Sequence, residues 1–535
     1  MMARSASFKK KLNLLDLTFL GVGSIVGSGW LFAAQGAAVY AGPTAWLAWV
    51  ITAIAFILIG LTYAELGGML PRAGGFVRYP NYTHGSLTGY LTGFIAMLAY
   101  SSVSGVEVEA VRGYASRWLP GLATDSGGPS FWGYILEIAL LVLFFLLNYW
   151  SVNVFGKVNS VVTMFKFLVP LLTLVILLLN FHGGNYSVDG ASPGGLKGVM
   201  QAVALSGIAF AFLGWRQAVD FGSEAKNPQR HIPLAIILSI VISALLYIAL
   251  QLVYIGAVPP EVLAKAGGWA NLKFDQAPYA ELATSLGMLW LANLLYVDAV
   301  ISPSGTGNIY VSGTTRVLFA WAKTGLFYSL FGKIDRRTGI PRGALWLSVV
   351  LAIAWILPEN YSVWSGLVGA VTGATVLTYV CGPISIASLR RTSPDLPRPF
   401  RLPAVSVIAP LAFIAGSFII YWGGWNNNRI LIGLSLASLI LYFAFMDRDK
   451  EWHHKLKTEW RAGIWLIAYY IFMMVMSYLG SFGPLKHPVI PYGWDLLAVA
   501  AGSLIVYYWA VASALPQPVI DSDEEEDVEL KAVNV

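Results

Sequence analysis

Apolar runs, most of them close to twenty residues long, recur along the whole chain. They fall at about 14–39, 43–69, 86–116, 131–151, 158–180, 197–222, 234–257, 284–322, 343–357, 363–388, 404–424, 428–446, 463–482 and 493–512. About twenty apolar residues in helical form cross a hydrocarbon core of roughly 30 Å. Inside lipid the backbone must satisfy its own hydrogen bonds, which a helix does within one segment. The runs therefore predict an all-α polytopic membrane protein with about fourteen transmembrane helices. The run at 343–357 is short for a crossing, and the one at 284–322 must project beyond the bilayer. Charged residues make up 12% of the 535, about half the share usual in soluble domains. A 14% aromatic content argues against a disordered chain. The single cysteine, Cys381, excludes an internal disulfide and a cysteine-rich metal centre. A net charge of +6 would suit nucleic acid, but no soluble segment remains to present a basic face.

An even number of crossings puts both termini on one side. That side carries 24 lysines and arginines, beginning with Arg4 and Lys9-Lys10-Lys11, against seven on the other. Lys166, Arg216 and Arg316 lie in or near embedded segments. The bias predicts cytoplasmic termini in a multi-pass protein of the cell membrane. Residues 1–13 then form a cytoplasmic leader with no cleavable signal, because the basic cluster opens into a run too long for a signal-peptide core. Residues 513–535 form a cytoplasmic tail with seven acids between Asp521 and Glu529, which reads as a solvated segment.

Two of the runs are interrupted. The first contains Gly21-Val22-Gly23-Ser24-Ile25-Val26-Gly27-Ser28-Gly29, where each glycine costs a helix about 1 kcal/mol relative to alanine. Close packing through small residues would account for Gly23 and Gly27, while the density of glycine and serine favours an unwound stretch facing protein or a wet cavity. The sixth run contains Ala209-Phe210-Ala211-Phe212-Leu213-Gly214-Trp215-Arg216, a glycine and then a full charge. These runs open two successive sets of five, and broken helices in matching positions are expected of an inverted-repeat transporter.

Several motifs resemble the amino acid–polyamine–organocation (APC) transporters. They are Gly27-Ser28-Gly29; Ala64-Glu65-Leu66 with Pro71-Arg72-Ala73-Gly74-Gly75; Glu224-Ala225-Lys226-Asn227-Pro228-Gln229-Arg230-His231-Ile232-Pro233; and Arg316 with Ala320 to Gly325. Tyr79-Pro80, the stretch Phe144 to Ser151, Asp298 to Pro303 and Gly480-Ser481-Phe482-Gly483 are similar to the bacterial aspartate–proton symporter branch. The resemblance implies a LeuT-type fold of two inverted five-helix repeats, here 14–180 and 197–388. Accessory helices would occupy 404–512, two more than the usual twelve spans provide.

The same resemblance implies the site. Ser28, with Gly27 and the backbone of Gly29 at the start of a half-helix, would hold the α-carboxylate of an amino acid. A helix N-terminus suits an anion on physical grounds as well. The carbonyls of Ile25, Phe210 and Leu213 would receive the α-ammonium, and Phe210 stands where the family has a gating aromatic or is simply a packing residue. Arg216 departs from many relatives, which carry glutamate or another residue there. A guanidinium keeps its charge and forms bidentate pairs with carboxylates. Arg216 is therefore expected either to recognise the side chain of an acidic amino acid or to pair internally with Glu107, Glu109 or Asp298.

Lys166 sits in mid-span between Phe165 and Phe167. Desolvation disfavours a charged amine, so such a lysine suits proton loading and release. In proton-coupled relatives an equivalent lysine takes the place of a sodium ion between the first and eighth helices. Glu107 and Asp298 are alternative carriers, with structural ion pairs as the plain alternative for all three. An anionic amino acid moving inward costs about 2.3 kcal/mol per 100 mV, so at least one proton must accompany it to cancel that cost. The expectation is a proton symporter for aspartate or glutamate, with no cofactor and no metal. Its alternatives are an exchanger, a symporter for neutral amino acids, or a nutrient sensor built on a transporter fold. A membrane enzyme is disfavoured, because no HExxH, GxSxG or Walker sequence occurs and the six histidines have no ligand spacing.

Overall fold

The computed structural model describes residues 8, 10–149, 152–188, 192–274, 277–335, 337–357, 364–446 and 450–520. Residues 1–7, Lys9, Trp150, Ser151, Arg336, Arg448 and the acidic run from Asp521 onward, with Lys531, lie outside the described residues. Among the described residues the regular structure is helical, apart from two isolated bridges, Leu12 with Ala225 and Ala123 with Pro129.

In chain order the helices are α1 (Leu14–Ile25), α2 (Ser28–Ala41), α3 (Ala45–Met69), α4 (Gly75–Ala115), α5 (Phe131–Tyr149) and α6 (Val152–Leu178). Next come α7 (Gly195–Leu205), α8 (Ile208–Phe212), α9 (Gln217–Asp220), α10 (Pro228–Ala257), and the short α11 (Pro260–Ala266) and α12 (Pro278–Ser285). The chain continues through α13 (Leu289–Lys323), α14 (Arg342–Ile356), α15 (Trp364–Tyr379) and α16 (Cys381–Thr392). It ends with α17 (Val405–Trp422), α18 (Gly424–Ala437), α19 (Leu439–Met446), α20 (Lys450–Leu479) and α21 (Trp494–Ser513).

By length and apolar composition ten helical segments suffice to cross a membrane, or eleven if the α7–α9 pair, bent by 50°, is one span. This is fewer than the fourteen apolar runs, for local reasons. α1 has 12 residues and α14 has 15, too few alone, and α2 with α3 passes as one stretch of 42. α13 has 35 residues but carries Asp298, Asn308, Arg316 and many hydroxyls on its buried faces.

α4 and α13 form the most extensively packed pair, and α10 lies along α3 and α1. Around this centre, α5, α6, α10 and α18 to α21 turn large apolar side chains outward, among them Phe131, Val161, Leu245, Ile440 and Ile505. An exterior of that kind is what lipid requires and water would penalise.

α1 opens with a reciprocal cap: Asn13 Oδ1 accepts from Asp16 N at 3.0 Å while Asp16 Oδ2 accepts from Asn13 N at 2.9 Å. Just before it, Lys11 N and Leu12 N donate to Glu224 O (2.8 and 2.9 Å), and Lys226 N donates to Leu12 O at 2.8 Å. Glu224 is gripped by Arg316 through Nε (2.6 Å) and Nη2 (2.5 Å), and the guanidinium lies 3.7 Å over the Phe221 ring. The family motifs around Gly74, Glu224 and Arg316 thus converge on one end of the bundle. Gly74 has φ +62°, and a Cβ there would lie 2.6 Å from Arg316 O, so this position needs glycine. Glu65 anchors the 389–402 segment, accepting from Arg390 and from Leu402 N at 2.7 Å.

Candidate functional site

α1 stops at Ile25 because Val26 (ψ 84°) and Gly27 (φ −124°, ψ −140°) leave helical geometry, and α2 starts at Ser28. The unwound stretch is therefore two residues long. Gly21, Gly23 and Gly29 are helical, and they serve close approach to Ser239, Thr163 and Ala211. A Cβ at Gly27 would lie 2.7 Å from Thr306 Oγ1 and 2.8 Å from Glu107 Oε1. The break is thus wedged between α13 and α4.

The second interruption differs in place from the sequence expectation. The main bend is at Ser206 and Gly207 (φ +93°), ahead of α8, while Leu213–Arg216 is wound more tightly as a 3-10 turn. Gly214 was the visible breaker, but its role is contact: a Cβ there would lie 2.4 Å from Ile25 N. The end of α8 bearing Phe210 and the turn bearing Leu213 and Arg216 therefore lie against the break bearing Ile25, Gly27, Ser28 and Gly29. All of these residues are buried.

The polar groups at this junction are engaged with the protein. Ser28 N, the first amide of α2, donates to Glu107 Oε2 at 3.0 Å. Ile25 O accepts from the Tyr247 hydroxyl and from Gly27 N, both at 3.0 Å. Leu213 O accepts from the Tyr379 hydroxyl at 2.7 Å, and Phe210 O from Leu213 N. An ammonium group at these carbonyls joins or displaces Tyr247 and Tyr379, two residues the sequence reading did not include.

Lys166 is 1% exposed. Its Nζ donates to Gly23 O and, at 2.7 Å, to Thr306 Oγ1, so it bridges α1 and α13. The Thr306 hydroxyl donates to Gly23 O at 3.1 Å. Asp298 Oδ1 accepts from the Ser302 hydroxyl at 2.7 Å, while Oδ2 has no hydrogen-bond partner among the described residues. Lys166, Thr306, Glu107 and the α1 break thus form one contiguous group. Thr306 escaped the sequence reading because one hydroxyl on a helix rich in them carries no distinguishing signal.

Arg216 is fully buried, with its guanidinium 3.2 Å from the Tyr100 ring centroid and 5.3 and 5.8 Å from those of Tyr310 and Tyr379. Nε, Nη1 and Nη2 find no acceptor in hydrogen-bond geometry among the described residues. The three carboxylates considered as its partners are bonded elsewhere: Glu107 to Ser28 N, Asp298 to Ser302, and Glu109 to Arg112. The acid linked to Arg216 is Asp220, whose Oδ2 accepts from the hydroxyl of Tyr100, the ring under the guanidinium. Asp220 was legible in principle, because it lies four residues after Arg216, one helical turn away.

The junction thus brings together a tyrosine-lined cation, two broken helices meeting near their breaks and a lysine between α1 and α13. The family model described as "Amino acid permease" matches residues 12–492. The aspartate-proton symporter of Bacillus subtilis (strain 168) is 42% identical over 98% of this chain and 100% of its own length. The glutamate/serine transporter AimA of the same organism is 40% identical over 94% of each chain. Its branched-chain amino acid permease BcaP is 28% identical over 83% of this chain and 95% of that protein. The match across nearly the whole length makes this chain a member of the amino acid permease family of APC transporters.

Proposed function

We propose that this protein is a secondary active transporter that carries an acidic amino acid, aspartate or glutamate, together with a proton by alternating access. The observation that carries the substrate class is Arg216, a buried guanidinium whose three nitrogens have no acceptor in hydrogen-bond geometry among the described residues, one turn beyond the Leu213 carbonyl. Ser28, Gly27 and Gly29 hold the α-carboxylate, Ile25, Phe210 and Leu213 receive the ammonium, and Arg216 takes the side-chain carboxylate. The relatives named for aspartate–proton symport and glutamate/serine transport support the same class.

Coupling follows from the group around Lys166. Glu107 occupies the Ser28 amide that the substrate carboxylate needs. A proton on Glu107 weakens that hydrogen bond, since a neutral carboxyl accepts less strongly than a carboxylate. Binding of proton and substrate then reinforce one another. Lys166 holds the α1 break against α13 while charged and loosens it on losing its proton, with Asp298 as a further carrier. No cofactor is needed.

In this reading the chain crosses the cell membrane fourteen times, with α1–α2 and α7–α9 as broken crossings and α13 and α14 as crossings of their own. Residues 14–180 and 197–388 are the two inverted repeats, 404–512 the accessory helices, and both termini are cytoplasmic. The test is radiolabelled aspartate uptake into proteoliposomes under separately imposed pH and sodium gradients, with a competition panel. Sodium-driven uptake, or accumulation insensitive to the pH gradient, refutes proton coupling. The name of AimA favours serine as a further substrate, which the same panel reads directly.

A further inference from the structure

Away from Lys166, α4 and α5 bring two acids onto a single guanidinium. Arg112 Nε donates to Glu137 Oε1 at 2.7 Å, and Nη2 donates to Glu109 Oε1 and to Gly127 O, the latter at 3.3 Å. Glu109, Arg112 and Glu137 are 5%, 1% and 0% exposed. Both carboxyl groups thus lie against the one guanidinium. Glu137 Oε2, buried, has no hydrogen-bond partner among the described residues.

Arginine does not lose its proton in proteins, so one fixed positive charge faces two carboxyl groups. With both ionised, the cluster carries a surplus negative charge away from water, and Glu137 Oε2 has no donor among the described residues. Two carboxylates sharing a buried site do not both ionise readily. A single proton removes both difficulties, cancelling the surplus charge and supplying the donor that Glu137 Oε2 lacks.

We propose that Glu109, Arg112 and Glu137 form a proton-binding site, separate from Lys166, in which the two glutamates share one exchangeable proton. Other titratable or charged groups on the surrounding elements include Glu107 and Tyr114 on α4, Tyr134 and Tyr149 on α5, and Lys166 on α6. Arg117 and Asp125 stand on the following segment, Tyr296 and Asp298 on α13, and Arg342 at the far end of α14. Lys166 is committed to Gly23 and Thr306, Arg117 stacks on Tyr296, and Arg342 pairs with Asp335. No second cation among these neutralises the pair. A cleft of about 700 Å3 lies nearby, lined by Gly113, Tyr114, Ser116, Arg117 and Asp125 among others, and in this proposal it is the side to which the proton is exchanged. Under the orientation proposed above, that cleft opens outside the cell. Losing the proton to it leaves a cluster of net charge −1.

Infrared spectroscopy of the purified, substrate-free protein tests this through the carbonyl stretch of protonated carboxyl groups. Glu109→Gln and Glu137→Gln should each abolish the same single band, because either leaves a one-to-one ion pair with Arg112. Persistence of all bands in both variants, or loss of a different band in each, overturns the proposal. Should a glutamine variant fail to fold, Glu109→Asp and Glu137→Asp keep the carboxyl. Both should shift that band, and an unshifted spectrum in either refutes sharing. The readout needs no transport, so its failure and failure of the symport reading are distinguishable.

Discussion

Replacing Arg216 with glutamine separates recognition of an acidic side chain from a merely structural charge. The guanidinium lies over the Tyr100 ring at 3.2 Å, and its three nitrogens have no acceptor in hydrogen-bond geometry among the described residues; the proposed reading gives them a substrate carboxylate as bidentate partner. Hydrogen bonds to charged groups contribute about 1.5–3 kcal/mol each, and glutamine restores one neutral bond of about 1 kcal/mol. The net loss is about 3 kcal/mol, on the order of a hundredfold in kcat/KM for aspartate. A neutral substrate makes no such pair and should lose no more than a few-fold. The assay is initial uptake of aspartate and of a neutral competitor in proteoliposomes, with thermal stability measured in parallel. Arg216→Lys, which keeps the charge and loses the fork, should fall between. If both substrates decline together and stability falls, Arg216 serves to balance Asp220 and the recognition argument is refuted. An unchanged aspartate-to-neutral ratio refutes it equally.

The other predictions concern coupling and the break. Lys166→Ala should abolish accumulation driven by a pH gradient while substrate still binds, as read by tryptophan fluorescence; retained pH-driven accumulation removes the lysine from the mechanism. Glu107→Gln should bind aspartate with an affinity that no longer varies with pH, measured by calorimetry across the acidic range. Gly27→Ala forces Thr306 and Glu107 back from a Cβ at 2.7–2.8 Å and should block uptake in a protein that still inserts and purifies normally. Arg316→Ala leaves Glu224 buried without its cation, a defect of about 3–5 kcal/mol, to be seen as a lowered melting temperature and increased labelling of a cysteine placed near Leu12.

The apolar runs were legible because lipid leaves a backbone no option but the helix, and each run falls on helix in the structure. The first interruption was legible from the density of glycine and serine between Gly21 and Gly29, although only Val26 and Gly27 leave helical geometry. The second was not. Gly214, beside a charge, looks like the breaker, yet the strained backbone belongs to Gly207, an inconspicuous glycine after Ser206. Sequence does not reveal which of two glycines bears a positive φ and which bears a tight contact. Partners of the buried ions were equally hidden. Arg216 lies against tyrosines from α4, α13 and α15, and aromatic faces carry no charge to suggest the pairing. Glu109 and Arg112 are three apart on α4 and could have been matched from spacing alone, but Glu137 comes from another helix.

The front of the chain is stitched to Glu224 and Lys226 by three backbone hydrogen bonds, and Glu224 is itself clasped by Arg316. Any rearrangement that parts α13 from the segment joining α9 to α10 must therefore tug on residues 11 and 12. A fluorophore attached just ahead of that stitch would act as a built-in strain gauge, brightening or dimming with every opening of this end. By the same logic, a bulky fusion partner grafted there would burden the carrier's turnover.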